Sequence, residues 1–322
     1  MNTIYILLLI SSFALSASLV AIILPKLKRI AKQPIYEEGP GWHMKKAGTP
    51  TMGGVCFLAS ILLGLLFIFF FQRSLLSGTE GIILLIDLIF ILLHGTIGIY
   101  DDLKKIRNRH NEGLTPKEKL LYQTLLCALY LFARARLTHF GTAIYIGDIK
   151  LSLGLLFYPM MLFVMLGIIN CANLTDGIDG LASTVSVTLG IVFFFISRAS
   201  SMYASMLSIL MCGAVLGFLI FNRHPAQIFM GDSGSLSLGA ISICLAFSLK
   251  NPFLILLFGI VYVIEGFSVV LQVLHFKRTR KRLFRMSPLH HHFEMCGMSE
   301  GIICIVACAT TVIFSLVASL LR

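Results

Sequence analysis

Apolar residues fall into ten blocks along the chain, at 3–24, 52–71, 81–100, 119–136, 155–172, 181–197, 203–221, 235–249, 253–276 and 300–321. A helix that crosses the hydrocarbon core needs about 20 mostly apolar residues, so each block is expected to be a transmembrane helix. The first block has no basic residue before it and Lys26, Lys28, Arg29 and Lys32 after it, the reverse of a cleaved signal peptide. It is expected to remain as an uncleaved helix that enters from outside. The pattern predicts an all-α, polytopic integral membrane protein of about ten helices, both termini outside, forming one domain over 1–322. No internal repeat or low-complexity tract divides it. Only the outer segment 137–154 alternates in a way that suits a small β-hairpin, around Tyr145, Ile146 and Gly147-Asp148.

Composition strengthens this picture. Of 322 residues, 57% are hydrophobic and 13% charged, with mean hydropathy +0.90, whereas a soluble domain carries roughly a quarter charged residues. The net charge of +11 would suit nucleic acid, but in so apolar a chain it points to anionic membrane lipid, and no nucleic-acid partner is expected. An outside N-terminus makes 25–51, 101–118, 173–180, 222–234 and 277–299 the inner segments. With Lys119 at their edge they hold 19 of the 26 Lys and Arg, which orients the chain by the positive-inside rule. The eight cysteines show no C-x2-C spacing and lie mainly in apolar blocks, so neither disulfides nor zinc are expected.

Of fifteen acidic residues, seven lie in three inner segments or at their edges: Asp101, Asp102, Glu112, Glu118, Asp176, Asp179 and Asp232. Asp101-Asp102 ends the third block and is followed by Lys104, Lys105, Arg107 and Arg109. Adjacent carboxylates repel unless a cation neutralises them, although a solvated helix end with intrahelical lysine pairs would use the same residues. Asn170-Cys-Ala-Asn173-Leu-Thr-Asp176-Gly177-Ile178-Asp179-Gly180 is a polar turn with two acids and no base, which favours a metal or donor-binding role over a plain turn. Asp176 and Asp179 would share a face if it were helical, and Gly177 and Gly180 allow close backbone approach to a ligand. Asn173-Leu-Thr175 fits a glycosylation sequon, but on an inner segment the match is chance.

Phe229-Met-Gly231-Asp232-Ser233-Gly234-Ser235 leads into a helix. It suits a phosphate packed on backbone amides and equally a simple helix cap. Ser287-Pro-Leu-His290-His291-His292-Phe-Glu294 follows the basic run 277–282. Its histidines lack helical zinc spacing and are expected to meet phosphate, with the basic run anchoring to anionic lipid. Inside the blocks, Glu265 is expected to face the bundle or break its helix. Asp87 and His94 are expected to form an internal pair.

These four motifs, in this order and on one side, resemble the polyprenyl-phosphate N-acetylhexosamine-1-phosphate transferases over nearly the whole chain. Lys45-Lys46-Ala-Gly-Thr-Pro-Thr51-Met-Gly53-Gly54 and Pro288-Leu-His290-His291-His292-Phe-Glu294 are closest to the member that uses UDP-N-acetylmuramoyl-pentapeptide. Glu112, where the family usually has lysine, and Met298, where it has tryptophan, depart from the pattern. The resemblance implies a bound Mg²⁺, a homodimer in the bacterial plasma (inner) membrane, and a cleft open to the cytoplasm. It implies transfer of phospho-sugar to undecaprenyl phosphate with release of UMP. By motif, Asp101 and Asp102 match the aspartate pair near the reacting phosphates, and Asp232 matches the magnesium ligand. Asn173, Asp176, Gly177, Ile178 and Asp179 match the uridine and phosphate region, with Phe229 near the uracil. Lys45, Lys46, Lys119, His290 and His291 match positions that contact the donor.

The chemistry is consistent with such residues, because carboxylates suit a hard cation and lysines suit a diphosphate. A lipid phosphate, with its second pKa at about 6, is expected to attack directly and not through a covalent enzyme intermediate. A break at Glu265-Gly266 is expected to open a groove for the lipid. Two rivals fit less well. An intramembrane aspartyl protease would use Tyr100-Asp101 and Gly231-Asp232, but leaves Asp176, Asp179 and the histidines unexplained. An ion-coupled transporter would place its acids near mid-membrane.

Overall fold

The computed structural model describes residues 2–30, 48–72, 74, 76, 78–108, 113–138, 141–146, 149–249 and 251–321. Helices α1 (Asn2–Ile30), α2 (Gly54–Phe71), α3 (Glu80–Asn108) and α4 (Pro116–Thr138) come first. A hairpin of β1 (Ala143–Ile146) and β2 (Ile149–Ser152) follows, antiparallel with Ala143 opposite Ser152, where alternation predicted it. Then come α5 (Phe157–Thr175), α6 (Leu181–Ser197), α7 (Met202–Asn222), α8 (Gly231–Ala246), α9 (Ile255–Phe258), α10 (Ile260–Thr279), α11 (Leu289–Met295) and α12 (Glu300–Leu320).

Seven helices, α1, α2, α3, α5, α7, α10 and α12, are long and apolar enough to cross a bilayer. The chain is therefore an all-α, multi-pass membrane protein. The other three predicted spans are also helical but fall short of that measure: α6 has 17 residues, α8 has 16, and α4 is more polar. The predicted span 253–276 is not a single helix. It divides at Gly259 between α9 and α10, while α10 runs unbroken through Glu265 and Gly266. Gly266 serves close packing instead, since a Cβ there would strike the sulfur of Cys171 on α5.

Helix α8 is the centre of the bundle, buried from Ser233 to Ala246 and packed by α2, α3, α5, α6 and α7. Lipid offers no hydrophobic drive between helices, so close packing of small residues does the work. Gly54 meets the backbone of Gly234, Gly98 meets that of Asp232 and Ser233, and Gly239 meets that of Ile169. The α8 serines are satisfied within the helix, with Ser237 and Ser242 donating to the carbonyls of Ser233 and Leu238 at 2.7 and 2.8 Å. Before α2, the Gly53 and Gly54 amides bond Phe229 and Met230 carbonyls (both 2.9 Å), and the Phe229 amide bonds Pro50 (2.8 Å).

Asp87 and His94 do not pair. Seven residues put them on one helix face but about 10 Å apart along its axis. The His94 Nδ1 bonds the Phe90 carbonyl at 3.0 Å. Asp87, fully buried, accepts from Tyr130 (2.8 Å) and Tyr203 (3.0 Å) and faces Arg134 at 3.7 Å, tying α3 to α4 and α7. Arg134 also donates to the Phe247 carbonyl at 3.1 Å. Breaking such a pair strands a buried charge, at a cost of about 3–5 kcal/mol. Arg134→Met should therefore lower the thermal midpoint of the detergent-solubilised protein sharply, and adding Asp87→Asn should recover most of it. An unmoved midpoint in the single variant would contradict the assignment.

Candidate active site

Helix α3 runs two turns past its apolar stretch, and this extension carries Asp101, Asp102 and Lys105. Lys105 pairs with Asp101 four residues earlier at 2.7 Å, the spacing that makes helical neighbours. The other Asp101 oxygen accepts from the Leu114 amide at 2.8 Å. Asp102 points the other way. Its two oxygens accept from the amides of Asp232 and Ser233, both at 3.0 Å, and so cap the first turn of α8. Gly231 precedes them at φ +72, and a Cβ there would run into the Asp102 carboxylate and the Thr51 hydroxyl. Only glycine fits that corner.

Asp232 is the meeting point. Oδ2 is paired with Lys119 and with Lys105 (3.2 Å), and Oδ1 accepts from the Asn173 amide at 2.9 Å. Asn173 also donates to Ser235 at 2.7 Å. Burial opposes ionisation of Asp232, which heads α8 outside the seven apolar spans, but Lys119 and Lys105 outweigh it and hold the carboxyl well below its usual range. Three carboxylates, Asp101, Asp102 and Asp232, bring ligand oxygens within 4.8 Å of one another. They face two ammonium groups, those of Lys105 and Lys119.

The polar turn after α5 divides its acids. It is not helical, because α5 ends at Thr175 and Gly180 takes φ +78. Asp176 lies on the cluster's side: burial, then the charges of Asp232 and Asp102, push its carboxyl well above the usual range. Asp179 turns away. Its Oδ2 accepts from His224 Nδ1 and the Ala226 amide, each at 3.0 Å, and its own amide donates to Glu300 at 2.8 Å. Asp179, His224 and Glu300 form a second group with ligand atoms within 4.8 Å, separate from the first. The expected shared face is therefore corrected.

Of the other expected residues, Ile178 is buried in the core, and Phe229 is half-buried with its backbone paired to Pro50 and Gly53. His290 packs against Gly177, and His291 bonds Glu294 at 2.7 Å. Lys45, Lys46 and Glu112 lie outside the described residues, and Met298 packs against the hydrophobic core. Sequence reasoning had not singled out Thr51, Lys105, His224, Ser235 and Glu300 as site residues. Lys105 carried a signal in its spacing from Asp101. The others gain partners only through folding, such as Glu300 with an amide 121 residues away.

A helical bundle that buries a carboxylate–lysine centre where four helix ends meet is an integral-membrane enzyme by class. A family profile described as glycosyl transferase family 4 matches residues 82–250, and the phospho-N-acetylmuramoyl-pentapeptide-transferase signature 1 matches residues 46–58. The chain is similar to the phospho-N-acetylmuramoyl-pentapeptide-transferase of Halalkalibacterium halodurans, at 40% identity over 99% of this chain and 97% of the relative. It is similar to that of Bacillus subtilis, at 41% over 91% and 90%, and to that of a Geobacillus species, at 37% over 98% and 97%. The chain belongs to the phospho-N-acetylmuramoyl-pentapeptide-transferase family.

The capping role of Asp102 makes a specific demand. Asp102→Ala leaves two amides at the head of α8 without their acceptor, at a cost of about 1–3 kcal/mol each. The variant should melt lower than the parent in detergent even without substrates. A melt identical to the parent's would remove the cap from the account.

Proposed function

We propose that the protein transfers phospho-N-acetylmuramoyl-pentapeptide from UDP-N-acetylmuramoyl-pentapeptide to undecaprenyl phosphate, releasing UMP and forming lipid I for peptidoglycan. The observation that carries this reading is the convergence on Asp232 of Asp101 and Asp102 from α3, Lys119 from α4 and Asn173 from α5. A prenyl tail must stay in lipid while its phosphate meets a water-soluble nucleotide, and a polar centre at one end of a membrane bundle suits both. In this reading the protein is a homodimer in the bacterial plasma membrane, with both termini outside. The centre faces the cytoplasm, as the distribution of Lys and Arg supports.

The donor set suits Mg²⁺, since it is made of carboxylate oxygens without sulfur or imidazole. Asp232, with Asp101 beside it, would hold the ion, which when bound supplies charge neutralisation to the diphosphate and to departing UMP. Lys119 and Lys105 bring positive charge to the donor phosphates. Asn173, Asp176, Gly177 and Phe229 contact the nucleotide side, whereas Ile178 is taken up by the core and Asp179 by His224 and the Ala226 amide. Lys45, Lys46, His290 and His291 complete the donor site. An oxygen of the lipid phosphate attacks the phosphorus bonded to the sugar. The bond from that phosphorus to the bridging oxygen breaks, and UMP leaves with that oxygen. Asp101 positions the attacking phosphate, which at neutral pH is already mostly dianionic.

A protease reading gives no role to Lys105, Lys119 and Asn173, all of which are held on Asp232. No observation favours a transporter.

The purified protein should release UMP from the UDP-sugar only when undecaprenyl phosphate and Mg²⁺ are both present. Sustained release of UMP over many turnovers without the acceptor would defeat the reading. Asp232→Asn should lower kcat at least about 100-fold, the scale on which removal of one preorganised electrostatic group acts. Asp101→Asn given donor alone should carry no phospho-sugar on the protein, and a competent glycosyl-phosphoryl adduct would establish a two-step route instead.

A further inference from the structure

Glu265 lies in the apolar first half of α10, one of the seven spans, and is 5% exposed. A carboxylate there is costly unless it is partnered. Its partner comes from α11: Oε2 accepts from the His290 amide at 3.2 Å and from His290 Nδ1 at 3.0 Å. The carboxylate only accepts, so Nδ1 carries the hydrogen, and both the tautomer and the plane of the ring are fixed. That leaves Nε2, which is fully buried and has no partner in the protein.

The free nitrogen is aimed at the donor turn. A Cβ on Gly177 would strike His290 Nε2 before any other atom. Gly177 follows Asp176, which feels the charges of Asp232 and Asp102. Glu265, His290 and Gly177 thus form a line from the membrane span to the turn beside the carboxylate–lysine centre. A carboxylate that only anchored α11 could bond the backbone amide alone. Here it also grips the ring nitrogen, and the opposite edge of that ring supports the turn.

We infer that Glu265 is a positioning residue for the nucleotide donor. It locks His290 so that the Nε2 edge sets the 176–178 turn and meets a phosphate oxygen of the donor when that turn takes it up. With Nδ1 committed to Glu265, any second proton on the ring sits at Nε2, where it can be donated to that oxygen. This rests on the transferase reading and adds to it a residue from a different helix.

Steady-state kinetics of the full chain in detergent test the inference. Glu265→Gln should raise the KM for the UDP-sugar about 10- to 100-fold, the scale on which loss of the carboxylate behind a metal-ligating histidine acts. The KM for undecaprenyl phosphate should stay unchanged, and Glu265→Asp should recover part of the loss. Gly177→Ala presses on the same ring and should raise the same KM, with the double variant falling short of the product of the two effects. Unaltered donor KM in Glu265→Gln, equal effects on both substrates, or full additivity would overturn the assignment. If Glu265→Gln does not fold, Glu265→Asp with Gly177→Ala carries the same comparison. The ¹⁵N signals of the His290 ring, identified by their loss in His290→Asn, give a readout independent of turnover. They should report the proton on Nδ1 in the wild type and its redistribution in Glu265→Gln. A wild type that releases no UMP defeats the transferase reading, whereas an active wild type with an indifferent Glu265→Gln defeats only the dyad.

Discussion

The first turn of α8 is buried among carboxylates, and the rest of the site follows from how that turn is satisfied. A helix start leaves amides without intrahelical partners, and a buried start must find acceptors elsewhere. Asp102 provides two of them with one carboxylate. Doing so brings the end of α3 against the start of α8 and sets Asp101 and Asp232 side by side. Two adjacent aspartates on one helix therefore divide their tasks. Asp102 is taken up by the backbone, while Asp101 faces Lys105 and the site.

The same economy governs the other buried charges. Asp87 is held by Tyr130, Tyr203 and Arg134, and Asp179 by His224, the Ala226 amide and the neighbourhood of Glu300. Glu265 is held by His290. In each case the partner belongs to another element, so each charge also pins the bundle together. Buried ion pairs are weak as sources of stability but costly to break, and they fix which elements sit together. The arrangement makes a rigid frame of α3, α4, α5 and α8 around the lysines.

Much of this was legible in the chain. The apolar blocks gave the helices, and the hairpin near Tyr145 fell where its alternation put it. The concentration of acids in three of the segments between apolar blocks pointed to the carboxylates that the fold brings together. Pairings between distant residues were not legible. Asp87 and His94 share a helical face, but their partners lie on other helices, and periodicity carries no information about those. Glu265-Gly266 looked like a break because a charge and a glycine share one span. The charge instead has a partner 25 residues on, and the glycine makes room for Cys171. Asp176 and Asp179 were expected on one face because a short polar turn can be helical. Gly180, in the left-handed region, ends that possibility and sends the second acid toward α7 and α12.

The positions of the glycines explain why the site tolerates no slippage between helices. Gly95 lies against Ser237, Gly98 against the backbone of Asp232 and Ser233, and Asp102 against the amides of the same two residues. These are successive points along one antiparallel seam between α3 and α8. Moving α3 by a single residue would rotate the seam by about 100°. Side chains would then meet α8 where only glycine fits, and the Asp102 cap would be lost. The geometry of the carboxylates is thus fixed by close helix packing that begins within about two turns of the residues that carry charge. That is why glycine and serine are interleaved with Leu236, Leu238, Ile241, Ile243 and Leu245 along the buried helix α8.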